Sequence, residues 1–268
     1  MKRSDLLRVS IVQSHIVWEN IGENINCLGE MLSSLKGKTD LAVLPELFTT
    51  GLSSRTELAE PDSGKTITEM KWYARENNLA ISGSFMASDN GKYYNRAFFV
   101  TPDGQEYFYD KRHLFGLAGE DKCFSPGTER LIVDYCGWKV CLMVCYDLRF
   151  PVWSRSVGNE YDLLIYVANW PEARREAWKV LLRARAIENM CYVCGVNRVG
   201  VDANGVKYHG GSSIFSPKGK RLFKVKKNEV SVVTGTLQLE ALEAFREKFP
   251  VWKDADSFVL TTKKQAYP

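Results

Sequence analysis

Cys145 closes an apolar run, Trp138-Lys-Val-Cys-Leu-Met-Val-Cys145, and is followed by Tyr146-Asp-Leu-Arg-Phe-Pro151. The run reads as a buried strand that ends on a thiol, and Pro151 suits the first turn of a helix. A strand-to-helix turn can hold a nucleophile at a strand's carboxyl end, with a helix N-terminus nearby to lower its pKa. A buried structural cysteine is the competing reading. Two further segments end in the same way. Leu41-Ala-Val-Leu-Pro45 runs into Glu46, and a short aromatic strand after the Thr101-Pro-Asp-Gly104 turn runs into Lys111. Alone, Lys111 reads as a surface lysine in Asp110-Lys-Arg-His113. Together, a thiol, a carboxylate and an ammonium at three strand ends would converge on one sheet edge, where open sheets commonly place their sites.

The elements that must position these residues follow from periodicity. Arg8–Gln13 reads as a strand with Val9 and Ile11 on one face. Ile21, Ile25, Leu28, Leu32 and Leu35 recur at spacings of four, three, four and three, the stripe of an amphipathic helix. Asn20 and Glu23 resemble a capping box. Leu41–Leu44 and Leu79–Phe85 read as strands on either side of a helix over Thr66–Asn77. Asn95–Val100 and Gln105–Tyr109 bracket an Asp-Gly hairpin turn. After Cys145 the pattern predicts a strand over Asp162–Asn169 and a long helix over Glu172–Met190. That helix is expected to turn Ala173, Ala177, Val180, Leu181, Ala184 and Ile187 to the core. A strand over Tyr192–Asn197, a hairpin of Ser212–Phe215 with Leu222–Val225, and a strand over Val230–Gly235 complete the reading.

With these flanks, Glu46, Lys111 and Cys145 resemble the Glu-Lys-Cys triad of the nitrilase (carbon–nitrogen hydrolase) superfamily. The likeness runs from Val9-Ser-Ile-Val-Gln13 to Phe249-Pro-Val-Trp252. Arg149-Phe-Pro-Val-Trp-Ser-Arg155, Val167-Ala-Asn-Trp-Pro171, Arg185-Ala-Ile-Glu-Asn189 and Arg246-Glu-Lys-Phe-Pro250 look like its bacterial omega-amidase subgroup. That subgroup hydrolyses the terminal amide of 2-oxo dicarboxylic acid monoamides. The resemblance implies an α/β fold, a four-layer α-β-β-α sandwich, and a single domain over residues 1–268.

It also implies roles. Cys145 would attack the amide carbon and form a thioester, with Glu46 as general base and acid. Lys111 would stabilise the oxyanion together with the backbone N–H of Tyr146. Glu120, nine residues after Lys111, fits the family's second glutamate, although Gly119-Glu120-Asp121 also reads as a plain acidic loop. An anionic substrate end needs a cation. Arg149 could supply it or could brace the turn through Asp147, and Arg112 is a second candidate. Phe115 and Trp170 are natural pocket walls. Of the three histidines, His113 lies nearest the site in sequence and is expected to be structural.

Composition sets the remaining bounds. At 268 residues, with 45% hydrophobic and 25% charged side chains, the chain has material for a large core. A net charge of +4 with interspersed signs gives no argument for nucleic acid. The basic stretch Lys218–Lys227 reads as a solvated hairpin face. No stretch reaches the ~20 apolar residues of a membrane span, and the N-terminal apolar run is too short for a signal peptide. Seven irregularly spaced cysteines suggest no disulfide framework, and Cys191 and Cys194 read as core residues in a reducing cytosol. A cytoplasmic enzyme is therefore expected. Neither a phosphate loop nor metal-ligand spacing is present, so no cofactor and no metal are expected. Leu239, Leu242, Phe245 and Phe249, followed by Val251, Trp252 and Phe258, make the tail from about 237 to 268 apolar. Such a segment must dock on its own core or on a neighbour, and a homodimer or higher homo-oligomer is expected. Competing functions are a carbamoyl-amine, short aliphatic amide or nitrile hydrolase, a non-catalytic sandwich, and a cysteine protease. The last lacks a local signature and a placed histidine.

Overall fold

The computed structural model describes residues 4–223 and 225–260. Lys224, part of the expected hairpin, and residues 1–3 and 261–268 of the expected termini lie outside the described residues. Along the chain the elements are β1 (Leu6–Gln13), α1 (Ile21–Ser33), β2 (Leu41–Val43), α2 (Lys65–Asn77), β3 (Ala80–Asp89), β4 (Lys92–Val100) and β5 (Glu106–Asp110). Then follow α3 (Glu120–Cys123), β6 (Ile132–Tyr135), β7 (Trp138–Val144), β8 (Leu163–Ala168), α4 (Arg175–Glu188) and β9 (Tyr192–Asn197). The last are β10 (Val199–Val201), β11 (Lys207–His209), β12 (Ser213–Phe215), β13 (Ser231–Gln238) and α5 (Leu239–Lys248).

The strands form two large sheets, in the orders β13-β1-β2-β3-β4-β5 and β12-β9-β8-β7-β6. Period-two alternation decides how they layer. In the first sheet Val9, Ile11, Leu41, Val43, Ala97 and Phe99 face the second sheet, in one core with Val140, Leu142, Ile165 and Val167. The alternate residues Val12, Ala42, Leu44, Phe98 and Val100 face outward and pack on Ile25, Leu28, Leu32, Ile67 and Met70 of α1 and α2. Helix α4 covers the outer face of the second sheet through Trp178, Leu182 and Ala186. The result is the four-layer α-β-β-α sandwich. Gly195 of β9 permits the close approach of α4: a Cβ there would lie 2.4 Å from Leu182 and 2.9 Å from Trp178. The N-cap of α1 forms as expected, with the Glu23 N–H donating to Asn20 Oδ1 at 3.1 Å and Asn20 Nδ2 donating to Glu23 Oε2 at 2.7 Å.

Several expectations are corrected. No helix starts at Pro151. A 3-10 turn spans Cys145–Arg149, and residues 151–154 form a turn. On α4 the expected stripe is misplaced: Val180 and Ile187 are 59% and 50% exposed, while Trp178, Leu182, Arg185 and Ala186 are buried. Arg185 can be buried because it donates to the Leu148 carbonyl at 2.7 Å and to Glu188 at 2.9 Å. The second strand of the 212–225 hairpin shrinks to one bridge, Phe215 to Arg221. Strand β6 and the β10–β11 hairpin had no clear signal in the sequence. The tail divides: Leu239 and Leu242 join the core, and Arg246 ties α5 down by donating to Asp162 at 2.7 Å. Phe249, Val251, Phe258 and Val259 are exposed. Among the described residues no helix is long and apolar enough to cross a membrane.

Candidate active site

In the first sheet β1, β2 and β3 run parallel, and two antiparallel steps through β4 restore that direction in β5. The carboxyl ends of β2 and β5 therefore lie on the same side. In the second sheet β7 and β8 are parallel and end side by side. The chemistry-bearing residues thus meet between the ends of two facing sheets rather than along one sheet edge. Glu46 follows β2, Lys111 follows β5, Cys145 follows β7 and Asn169 follows β8.

The centre is a buried ion cluster. Lys111 is 1% exposed, and a lysine is almost never so buried unless it is paired. Its Nζ donates to Glu46 Oε1 at 2.8 Å and to both oxygens of Glu120 at 2.8 Å. Asn95 Nδ2 donates to Glu46 Oε1 at 2.8 Å and to Glu120 Oε1 at 2.9 Å, so one amide bridges the two carboxylates. The other oxygen of Glu46 accepts the backbone N–H of Asn169 at 2.7 Å, and Asn169 Nδ2 donates to the Glu46 carbonyl at 2.8 Å. Glu120 also accepts the N–H of Phe115 at 2.6 Å, tying the 115–120 loop to the cluster.

Cys145 is partly exposed and is strained, with φ +43°, in the left-handed region that non-glycine residues seldom adopt. The residue before it is extended, so the chain turns sharply at the thiol. Burial and the charge of Glu46 push the Cys145 thiol well above its ordinary pKa, against the opposing pull of Lys111. This corrects the expectation of a helix N-terminus that lowers it. Burial disfavours the charged form of Lys111, but Glu120 and Glu46 outweigh it and raise its pKa. The resting arrangement is therefore a neutral thiol beside an ion cluster. Glu46 lines the same cavity as Cys145 and its charge acts on the thiol, so a base stands beside the nucleophile.

The turn is held from below by Asp147, which is fully buried. Its carboxylate accepts from Tyr109 Oη at 2.7 Å, His113 N at 2.9 Å, His113 Nδ1 at 2.8 Å and Val144 N at 3.0 Å. His113 stacks on Phe150 at 3.8 Å. Its role is structural, as expected. Arg149 is absent from the partners of Asp147 and lies over the Trp170 ring at 5.1 Å, so the bracing alternative gives way to a pocket position.

A cavity of about 400 Å³ opens over Cys145, Glu46 and Lys111, within the usual range for small-molecule sites. Phe115, Tyr146, Arg149 and Trp170 line it. Arg112 does not: its guanidinium donates to the Gly127 carbonyl at 2.9 Å and lies over Trp153 at 5.5 Å, so its side chain is committed to the fold. Four residues that the sequence reading did not assign also belong here. Asn95 bridges the carboxylates, Asn169 orients Glu46, and Arg174 and Tyr208 line the cavity. Asn169 could have been found by the strand-end rule that picked out Glu46 and Cys145. Arg174 follows the Trp170-Pro171 turn at the same edge. Asn95, a polar residue at the start of a strand reading, gave no signal.

A family model described as carbon-nitrogen hydrolase matches residues 8–247. The chain is 41% identical over 254 residues to the omega-amidase YafV of Escherichia coli K12, covering 95% of this chain and 98% of that one. It is 33% identical over 251 residues to the 2-oxoglutaramate amidase of Bacillus subtilis 168, covering 92% and 96%. It superposes with a TM-score of 0.94 on a CN-hydrolase superfamily protein of Xanthomonas campestris that carries an arsenic adduct in its active site. That protein is 41% identical, with 96% of this chain and 100% of the other covered.

Proposed function

The chain belongs to the carbon–nitrogen hydrolase family, and from that premise we propose that it is an omega-amidase acting through Cys145 on the terminal amide of a small 2-oxo dicarboxylic acid monoamide. It is a hydrolase of carbon–nitrogen bonds in linear amides, outside the peptidases. 2-Oxoglutaramate and 2-oxosuccinamate are the proposed substrates. One observation carries the reading. The cavity that exposes Cys145, Glu46 and Lys111 also contains Arg149, whose guanidinium has no acidic partner among the described residues.

The proposed reaction uses each group in place. Cys145 Sγ attacks the amide carbon as Glu46 accepts the thiol proton, which avoids forming a free thiolate in a site that disfavours one. Negative charge developing on the carbonyl oxygen is held by Lys111 and by the backbone N–H of Tyr146. The first N–H groups of a helical turn lack partners within the turn. Glu46 returns the proton to the leaving nitrogen, ammonia departs, and a thioester remains on Cys145. Water, deprotonated by Glu46, then attacks the thioester, the carbon–sulfur bond breaks to release the acid, and Glu46 returns the proton to the Cys145 sulfur. Glu120 holds Lys111 and the 115–120 loop. Arg149 takes the substrate carboxylate, with Phe115 and Trp170 as walls.

Ammonia release from a panel of amides tests this. Wild-type enzyme is expected to prefer 2-oxoglutaramate over a neutral amide of equal length. Arg149→Met should raise KM for it on the order of tenfold or more, the worth of a charge-assisted contact. Equal efficiency on the neutral amide would favour a short aliphatic amide hydrolase instead.

The continuous core from Leu7 to Leu242 supports one domain over the chain. A homo-oligomer is proposed from the apolar side chains left uncovered, Val180 and Ile187 on α4 and Phe249, Phe258 and Val259 in the tail. Sedimentation at micromolar concentration should give a multiple of the 30.5 kDa chain; a particle of 30.5 kDa ends this part of the proposal.

A further inference from the structure

We propose that Arg174 is a second substrate-reading guanidinium, and that it sets the preference for a 2-oxo acid amide over the 2-amino acid amide of the same length. The inference rests on the omega-amidase reading above and deepens it. Arg174 closes the short 3-10 turn Glu172–Arg174 ahead of α4 and lines the cavity that holds Cys145. Its guanidinium lies over the Phe115 ring at 5.1 Å, as that of Arg149 lies over Trp170 at the same distance. Stacking fixes the plane of a guanidinium on an aromatic face while leaving its N–H edge available. Neither arginine forms an ion pair with, or donates a side-chain hydrogen bond to, any other described residue. The backbone at 174 is anchored independently of the side chain, because its carbonyl accepts Trp170 Nε1–H at 2.8 Å.

The acids around the same cavity are already engaged. Glu46 accepts from Lys111, Asn95 and Asn169. Asp202 accepts the N–H groups of Asn204 and Val206 at 2.9 and 3.0 Å and the Tyr208 hydroxyl at 2.8 Å. The charged end of a ligand therefore meets unused donors and two positive charges, with no uncommitted acceptor of matching charge. A carboxylate flanked by a keto oxygen presents adjacent acceptors and fits this arrangement. An ammonium at the same carbon presents only donors and like charge, and is disfavoured on both counts.

The test compares 2-oxoglutaramate, glutamine and pentanamide as substrates of the wild-type chain, Arg174→Met and Arg174→Lys, with kcat and KM resolved separately. Arg174→Met should lower kcat/KM for 2-oxoglutaramate on the order of ten- to a hundredfold, mainly through KM, with pentanamide changed by less than about twofold. The margin over glutamine should shrink, and Arg174→Lys should recover part of it. An equal loss on pentanamide, or an unchanged margin over glutamine, overturns the assignment of Arg174. In that case a wild type that still prefers 2-oxoglutaramate to pentanamide leaves the omega-amidase reading standing. A wild type without that preference removes both.

Discussion

Cys145→Ala is expected to lower amide hydrolysis on the order of ten-thousandfold or more while leaving the fold intact, as loss of a nucleophile does in other covalent hydrolases. The side chain is small and lines the cavity, and the turn that carries it is held by Asp147. Ammonia release measures the activity, and circular dichroism with urea unfolding measures the fold. Mass spectrometry of wild-type enzyme quenched during turnover should place an acyl group on Cys145. Cys141, four residues earlier, should stay unmodified, because it is fully buried in the core at β7 while Cys145 lines the cavity. Retention of turnover within about tenfold in Cys145→Ala, a barrier change near 1.4 kcal/mol, would remove Cys145 as the nucleophile.

Lys111→Met should damage both catalysis and stability. Turnover is expected to fall on the order of a hundredfold or more, the cost of losing one oxyanion donor elsewhere. The same change leaves Glu46 and Glu120 facing each other without their shared cation. Breaking a buried pair in this way costs about 3–5 kcal/mol. Two carboxylates so close cannot both remain ionised, so the variant should take up a proton and be least destabilised in acid. Urea unfolding across pH measures this, and an unchanged midpoint would show that the cluster is not held by charge. Glu46→Gln separates the charge from the chemistry. It should abolish turnover, yet by removing a negative charge that raises the thiol pKa it should shift the pH midpoint of Cys145 alkylation downward. An upward shift would mean that the Glu46 carboxylate does not raise the thiol pKa.

The contrast between these residues and their neighbours shows where sequence reasoning succeeds. Glu46 and Cys145 were legible because each ends an apolar run, a local property that needs no knowledge of the partner, whereas Lys111 was legible only in their company. The facing layers were not legible in this way: β2 and the end of β4 are continuously apolar, and only the structure assigns Val43 and Phe99 to one core and Ala42 and Phe98 to the other. Helix α4 misled because it carries two stripes. The apolar stripe through Val180 and Ile187 is exposed, while the buried one contains Arg185, whose charge is satisfied by Leu148 and Glu188. Periodicity counts side-chain type and cannot see a partner 37 residues away.

The sequence by itself therefore singled out Glu46, Lys111 and Cys145 as candidate reacting groups and located the strands that end on them, while the four-layer sandwich was implied by the resemblance. Only the tertiary structure decided that the strand ends of two separate sheets meet. It also decided that Asn95 and Asn169 fix Glu46 across 49 and 123 residues of chain, that Asp147 rather than Arg149 braces the turn, and that Arg112 faces the fold while Arg174 faces the cavity. The thiol's raised pKa belongs to the same group, since it is set by burial and by a carboxylate supplied from the other sheet. Each of these depends on distances between residues remote in sequence, and hydrogen bonds and charges act through distance in space.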